Sequence, residues 1–420
     1  VKRSLIRYFF YGNSLTSDGH RRIFYLFARF LFFFPISIVA SLVLGVFSLY
    51  RPVKILLLRC ERSKISFIIE DLELSLRIGS FDSKKSGSKK HLIIAILDCE
   101  SPNMALTQMY DRVVPFFDDK KPFLRGILRY VLPILQIRRQ YGPSKRSNRL
   151  TIWSNVAPIL SFTKAEITAG RDIERRMFGE KKAQYVCLGI AESTYYQTKR
   201  LNEHDVDSQT DLYSCMPEIE SYFDCSKFLT AQGIQTIRMG QFVERPLNDS
   251  ERHDLFDYAG TMRSEFGDVW LLSNCKFVIA GGTGIYCISS AMNLPTVLTD
   301  IYTIFNTTFG PNDLLLPQLA KSKRTNKLLP FKWIIENREW AQNRKLIENE
   351  VEIIKNSPQE ISEVVSEMNE RIDQKWQESN EDIELQNRFR ELIKTIVPEW
   401  RIQPGVRIGA AFLRRHKELL

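Results

Sequence analysis

Residues 264–299 read SEFGDVWLLSNCKFVIAGGTGIYCISSAMNLPTVLT, and this run of residue types decides the fold. Within it, residues 276–280 (KFVIA) form an apolar, β-branched run with the look of a buried strand. Gly281, Gly282, Thr283 and Gly284 follow at once. Residues 285–292 (IYCISSAM) place apolar side chains at helical spacing, and Asn293-Leu294-Pro295 closes that helix before a second strand over 296–298. Strand, glycine turn, helix, strand is one βαβ unit of a parallel sheet. A glycine turn between the end of a strand and the start of a helix lets the backbone approach an anion. Free N–H groups and the helix dipole then bind phosphate there. The same turn can also be a tight connection with no ligand, and a glycine turn alone does not separate the two.

At 420 residues the chain has room for two domains with full cores. Its charged (26%) and apolar (44%) fractions are ordinary for a globular protein and exclude general disorder. The net charge of +10 is moderate, with the basic residues concentrated in the first 150 positions. That suits an anionic membrane surface or anionic substrates at least as well as nucleic acid. No nucleic-acid-binding signature accompanies it. The seven cysteines (60, 99, 187, 215, 225, 275, 287) are scattered, odd in number and without CxxC spacing. Cys187, Cys275 and Cys287 lie in apolar runs and are expected as buried thiols. This usage fits a reducing compartment, with neither a disulfide framework nor a zinc site.

Residues 30–50 (FLFFFPISIVASLVLGVFSLY) are uncharged and long enough to cross a bilayer. The run is too long and starts too late for a signal peptide, and Tyr50-Arg51 is a poor cleavage site. Lys2, Arg3, Arg7, Arg21, Arg22 and Arg29 precede it, which would hold the N-terminus in the cytoplasm. A single crossing would then export everything after residue 50, in conflict with reduced cysteines and a cytosolic nucleotide. Pro35 and Gly45 allow a kink, and a re-entrant or interface-lying segment removes the conflict. The alternative is a helix buried in the protein core. Membrane contact is the reading taken.

Residues 53–58 (VKILLL) read as the first strand of a soluble domain, 65–76 as its first helix and 80–90 as a polar, basic loop. A second strand, 91–97 (HLIIAIL), closes on Asp98, Cys99 and Glu100. Carboxylates just past a strand's C-terminal end sit where α/β proteins bind ligands, or they cap the next helix. Residues 115–133 look helical with a basic, aromatic surface, and 141–149 (YGPSKRSNR) form a linker. Residues 185–190 (YVCLGI) begin a fresh strand series, so the second domain starts near residue 183. A helix over 216–232 ends at Gly233, and the strand 234–239 (IQTIRM) is followed by Gly240. Arg238 is unusual on a buried strand. It is either a cation reaching a phosphate or a surface charge on an edge strand. From residue 336 the chain reads as charged helix to 376, with more helix over 380–396, and no sustained heptads.

Two parallel α/β domains with a phosphate turn in the second point to a nucleotide-containing ligand in a cleft between them. The Walker sequence and GxGxxG spacing are absent, which disfavours ATP hydrolysis and NAD binding. No HExxH or GxSxG elbow is present, and the five histidines are isolated. Spacing alone does not give the reaction.

Residues 210–335 resemble a family of bacterial glycosyltransferases encoded with surface-polysaccharide genes. The matching pieces are IRMG at 237–240, DYA at 257–259, SEFGDVWLLSNCKFVIAGGTG at 264–284, NLPTVLTD at 293–300 and FGPNDLLLPQLAKS at 309–322. RIGAAFLRRHKELL at 407–420 matches the family's last part. The resemblance implies an α/β protein of the GT-B type, with two Rossmann-like domains, a C-terminal helical extension and an N-terminal apolar membrane segment. Its implied layout is a basic, membrane-associating segment (1–50), an acceptor domain (51–182), a nucleotide-sugar domain (183–335) and C-terminal helices (336–420). The C-terminal half is also distantly similar to fucosyltransferase-type enzymes, and that similarity makes Asp268 and Thr283 donor-site candidates.

Such an enzyme moves a sugar from a nucleotide-sugar to a lipid-linked or growing glycan, at the cytoplasmic face of a bacterial inner membrane. It requires no metal or cofactor. The nucleotide diphosphate leaving group then falls to a helix N-terminus and a cation. Gly282, Thr283, Gly284 and Ile285 supply the N–H groups, with Arg238 and Gly240 beside them. An inverting enzyme also needs a base for the acceptor hydroxyl; Asp98, Glu100 and Glu192 are the candidates. Two positions depart from the family pattern. Ala191 stands where the family carries Arg, and Ser66-Phe67 stands where it carries Gly-His. A degenerate homologue acting as a membrane-bound assembly partner is therefore one rival; a nucleotide-sugar epimerase or dehydrogenase is another.

Overall fold

The computed structural model describes residues 19–51, 53–58, 65–86, 92–97, 101–117, 122–129, 149–180, 183–192, 217–281, 283–301, 310–337, 350–397 and 403–420. The chain divides into two compact units, Val1–Phe162 and Thr163–Leu420.

The first unit holds a parallel sheet of β1 (Val53–Leu58), β2 (Leu92–Leu97) and β3 (Phe116–Phe117), in that order. The continuous apolar runs VKILLL and LIIAIL suit parallel strands covered on both faces. Ile94 and Ile96 of β2 pack under Ala40 and Leu44 of the N-terminal helix, Gly19–Ser48, and under Leu128 of the helix Pro122–Arg129. After β1 the chain forms a helix from Ile65 to Ser86 with a π-helical turn at Ile69–Glu73. The stretch expected as a loop over 80–90 is thus helical through Ser86. At Gly79 this helix lies against β2, where a Cβ would stand 3.7 Å from Ile93 Cδ1. The π turn carries a fully buried pair, Arg77 Nε to Glu73 Oε1 at 2.9 Å. Tyr110 donates to Glu73 Oε2, and the Arg77 guanidinium lies over the Trp153 ring. Ion pairs this deep persist only when their remaining hydrogen-bonding positions are filled, as here. Residues 115–133, expected as helix, begin instead with β3, and the helix starts at Pro122, a residue suited to a helix's first turn.

The second unit contributes β4 (Gln184–Ile190), β5 (Ile234–Met239), β6 (Leu255–Phe256), β7 (Val278–Gly281), β8 (Thr296–Ile301), β9 (Leu314–Pro317), β10 (Leu319–Ser322), β11 (Val351–Ile354) and β12 (Arg407–Ile408). Seven of them form one parallel sheet in the order β12-β9-β8-β7-β4-β5-β6. The chain therefore builds outward from β4 to β5 and β6, then returns to the other side of β4 for β7, β8, β9 and β12. Strand order reverses between β4 and β7. The helix Lys164–Phe178, ahead of β4, belongs to this unit. Its Glu174 accepts from the Tyr185 hydroxyl (3.1 Å) and from Trp270 Nε1 (3.0 Å). Gly233 ends the helix before β5 with φ +74°, as its sequence position predicts.

The α/β class with two Rossmann-like parallel units, an apolar N-terminal helix and a helical C-terminal region is what the structure contains. One part of the C-terminal reading differs. Val351–Ile354, inside the stretch read as helix, is a strand paired antiparallel with β10. The following helix starts only at Pro358, where Ser357 and Glu360 form a capping box.

Candidate functional site

In open parallel sheets, ligands bind beyond the C-terminal ends of the strands where strand order reverses. Here that point lies between β4 and β7, and the sequence has placed its glycine turn there. Ile190 pairs with Gly281 in register, and the Ala191 N–H donates to the Gly281 carbonyl at 2.9 Å. Both ends are close-packed because both carry glycine. A Cβ on Gly281 would stand 2.5 Å from the Tyr222 hydroxyl and 2.9 Å from Pro217 Cγ. A Cβ on Gly189 would stand 2.6 Å from Ile285 Cγ2 and 3.4 Å from Thr283 Cγ2. The side chains of the turn thus lie directly over β4. Thr283, Gly284 and Ile285 are half-buried, and the Thr283 hydroxyl accepts weakly from the Ile285 N–H (3.4 Å). No side chain caps the short helix Tyr286–Ala291 that follows. At its start the Cys287 and Ile288 N–H groups donate to the Gly284 and Ile285 carbonyls, both at 3.2 Å.

Glu192 and Arg238 meet at this same edge. Glu192, two residues past β4, accepts from Arg238 Nη2 at 2.6 Å through Oε1, and from the Glu244 N–H through Oε2. Arg238 is fully buried on β5. It also donates to the Arg245 carbonyl (2.8 Å) and lies 3.5 Å from Asp257 Oδ1. Asp257 accepts in turn from the Leu247 and Gly260 N–H groups. One buried cation and two carboxylates therefore pin the segment 240–257 to the strand ends. The surface-charge reading of Arg238 does not hold, since a charge on a central strand is tolerated here by pairing. Gly240 follows β5, and a Cβ there would meet nothing nearer than Val243 Cγ1 at 3.6 Å.

Asp268 sits near the start of the helix Glu265–Asn274, which Ser264 caps. Burial pushes its carboxyl up to about 7, against the opposing pull of Arg263, whose Nη2 is 2.6 Å away. Its Oδ1 is buried with no hydrogen-bond partner. Asp98, Glu100 and Gly282 lie outside the described residues; β2 ends at Leu97, immediately before the first two. Among the described residues no three His, Cys, Asp or Glu side chains form a group that could hold a metal ion. Cys187, Cys225, Cys275 and Cys287 are free, buried thiols, and burial pushes Cys225 up to about 12.

A polar cluster that the sequence reading missed lies directly behind Gly281. The Tyr222 hydroxyl is 2.6 Å from Thr299 Oγ1 and 3.4 Å from Asp300 Oδ2. Asp300 and Asn356 exchange two bonds, Asp300 N–H to Asn356 Oδ1 (2.6 Å) and Asn356 N–H to Asp300 Oδ1 (2.9 Å). Burial raises the Asp300 carboxyl above the usual carboxylate range. With φ +51°, Asp300 occupies the left-handed region that aspartate tolerates better than most residues. The signal was available in the sequence: Asp300 ends the run TVLTD at 296–300, as Asp98 ends the run at 91–98.

No protein-family model and no curated protein matches the sequence. Among solved structures, the chain is similar to a glycosyl transferase family 9 protein from Veillonella parvula DSM 2008. The likeness has 8% identity and TM-score 0.38, over 64% of this chain and 86% of that one. It is also similar to the E. coli ADP-heptose lps heptosyltransferase II, at 11% identity and TM-score 0.35, over 58% and 84% of the two chains. A third is the iron-containing dodecameric glycosyltransferase TibC from enterotoxigenic E. coli H10407, at 14% identity and TM-score 0.35, over 63% and 62%. Likenesses this distant speak to neither substrate nor mechanism. The fucosyltransferase similarity finds no support in them.

Proposed function

We propose that the protein is a GT-B glycosyltransferase of bacterial surface-polysaccharide synthesis. It would move a sugar from a nucleotide-sugar to a lipid-linked or growing glycan at the cytoplasmic face of the inner membrane. The observation that carries this reading is the coincidence of the glycine turn with the switch point between β4 and β7. On this reading a diphosphate there would be held by N–H groups of Thr283, Gly284 and Ile285 and by the Thr283 hydroxyl. Donors fixed in advance stabilise the charge that develops as the glycosidic bond breaks. In this reading Arg238 acts on the donor through Glu192, which it holds just past the end of β4. Asp268, in the first turn of its helix, is taken as a further donor contact. The base for the acceptor hydroxyl is drawn from Asp98, Glu100 and Glu192. The reaction as proposed uses no metal, so a chelator should leave turnover unchanged.

One observation favours a second reading, a degenerate homologue serving as an assembly partner. The position where the resembled family carries Arg is Ala191, buried against Gly281. Turnover of any nucleotide-sugar excludes it.

The test is a thermal-shift panel of UDP, GDP, CDP, CMP and ADP, with NAD as control, on the full chain in detergent. A ligand at a hundredfold excess over its dissociation constant adds about 2.7 kcal/mol to stability. A shift selective for one nucleotide is the expected result and names the donor class. A shift with NAD alone favours an epimerase or dehydrogenase, and no shift at all sinks the donor site.

A further inference from the structure

The N-terminal helix is patterned the wrong way round for a helix facing water. A surface helix in a soluble protein turns its apolar stripe inward and its polar residues outward. Here the protein-facing positions include Phe33, Ser37, Ala40, Ser41 and Leu44, spaced three or four apart except for the adjacent Ala40 and Ser41. Ser37 donates to the Ile127 carbonyl at 2.7 Å, and Ala40 and Leu44 lie on β2. The outward positions are Leu31, Ile38, Val39, Leu42, Val43, Val46 and Phe47, all apolar and all exposed. Phe123 and Leu124 of the neighbouring helix extend this surface, with the Phe123 ring 6.4 Å from that of Phe32. The combined area is on the order of 1,000 Å², beyond the few hundred that a soluble monomer leaves in one apolar patch.

Length and composition alone would let the segment Phe30–Ser48 cross a bilayer, and only 17% of it is buried. Its contacts exclude that. From Phe33 to Leu44 the helix is fixed along one side to a β-strand and a second helix of the same unit. Crossing would carry that sheet and its strand ends into the hydrocarbon core, where backbone outside helices and closed barrels is not tolerated. We infer that the helix lies along one leaflet, its outward face in the lipid and its inward face on the protein, so that both ends of the chain stay on the same side. The occupant is an anionic bilayer, because residues 1–162 carry 26 Lys and Arg against 11 Asp and Glu. This deepens the membrane part of the function proposed above and rests on no part of the sugar chemistry.

The experiment uses the full chain with an epitope tag at each end, added to preformed vesicles of phosphatidylglycerol with phosphatidylethanolamine, or of phosphatidylcholine alone. Co-flotation with the anionic vesicles, weaker flotation with the neutral ones, and removal of both tags by external protease are expected. One tag protected inside the vesicle means a spanning helix and overturns the inference. No flotation, with a doubled mass in vesicle-free buffer, assigns the face to a second copy and also overturns it; no flotation without doubling does the same. The variant Val39→Glu/Val43→Glu/Val46→Glu should lower the floated fraction about tenfold or more. Its unfolding in detergent and its nucleotide response should not change. If the triple variant does not fold, Leu42→Lys alone, at a site 66% exposed, should give a smaller loss. Flotation of the folded charge variants equal to the parent refutes the lipid contact. The nucleotide response, read on the same samples, reports the donor site separately.

Discussion

Arg238→Met keeps the length of the side chain and removes its charge. The guanidinium is wholly buried, and the carboxylates it serves have side chains only 6% (Glu192) and 1% (Asp257) exposed. Removing one partner of a buried pair leaves an uncompensated charge that costs about 3–5 kcal/mol. In a unit of this size each kcal/mol lowers the melting temperature by about 2–4 °C. The variant should therefore melt about 6–20 °C lower, and its urea midpoint should fall with the slope unchanged. The double variant Glu192→Gln/Arg238→Met should recover part of the loss, with a coupling of about 1 kcal/mol or more, because one stranded carboxylate is gone. A guanidinium touching the donor directly predicts a different pattern: stability unchanged and nucleotide binding weakened by about 2–4 kcal/mol. A stability loss under about 1 kcal/mol in the single variant would refute the argument from the buried cluster.

Gly281→Ala puts a methyl 2.5 Å from the Tyr222 hydroxyl. It should cost about 1–3 kcal/mol and abolish the nucleotide-induced shift; an unaltered response would show that the turn has slack. Tyr222→Phe strips a hydroxyl from Thr299 and Asp300, for a loss of about 1–3 kcal/mol in denaturant unfolding. No loss would mean that Asn356 and Gln318 hold Asp300 without the tyrosine hydroxyl. The Asp268 carboxyl is raised from 3.8 to about 7, so the fold favours its protonated form. Stability from this group is full below pH 3.8 and is lost as pH rises through about 7. Asp268→Asn should flatten that decline, measured by thermal unfolding across the range. An unchanged pH profile would mean that the Arg263 pair outweighs burial.

Residue order alone determined the pieces set by local pattern. The run KFVIA, the glycines after it and the spacing of IYCISSAM give strand, turn and helix, because backbone freedom and side-chain period act within a few residues. The apolar strands near 53, 92, 184 and 234, the Gly233 helix end and the buried thiols were legible for the same reason. Tertiary structure decided what depends on distant partners. Arg238 reads as a surface charge or a ligand cation until Glu192, 46 positions away, is found against it. Residues 351–354 sit in a charged, helix-like stretch, and pairing with residues 319–322 makes them a strand. The reversal of strand order between β4 and β7 is not written in any one segment, since it depends on which side of β4 the chain returns to. The apolar run at 30–48 announces lipid by composition. Only its packing on β2 decides which face the lipid meets, because burial is settled by neighbours that are remote along the chain.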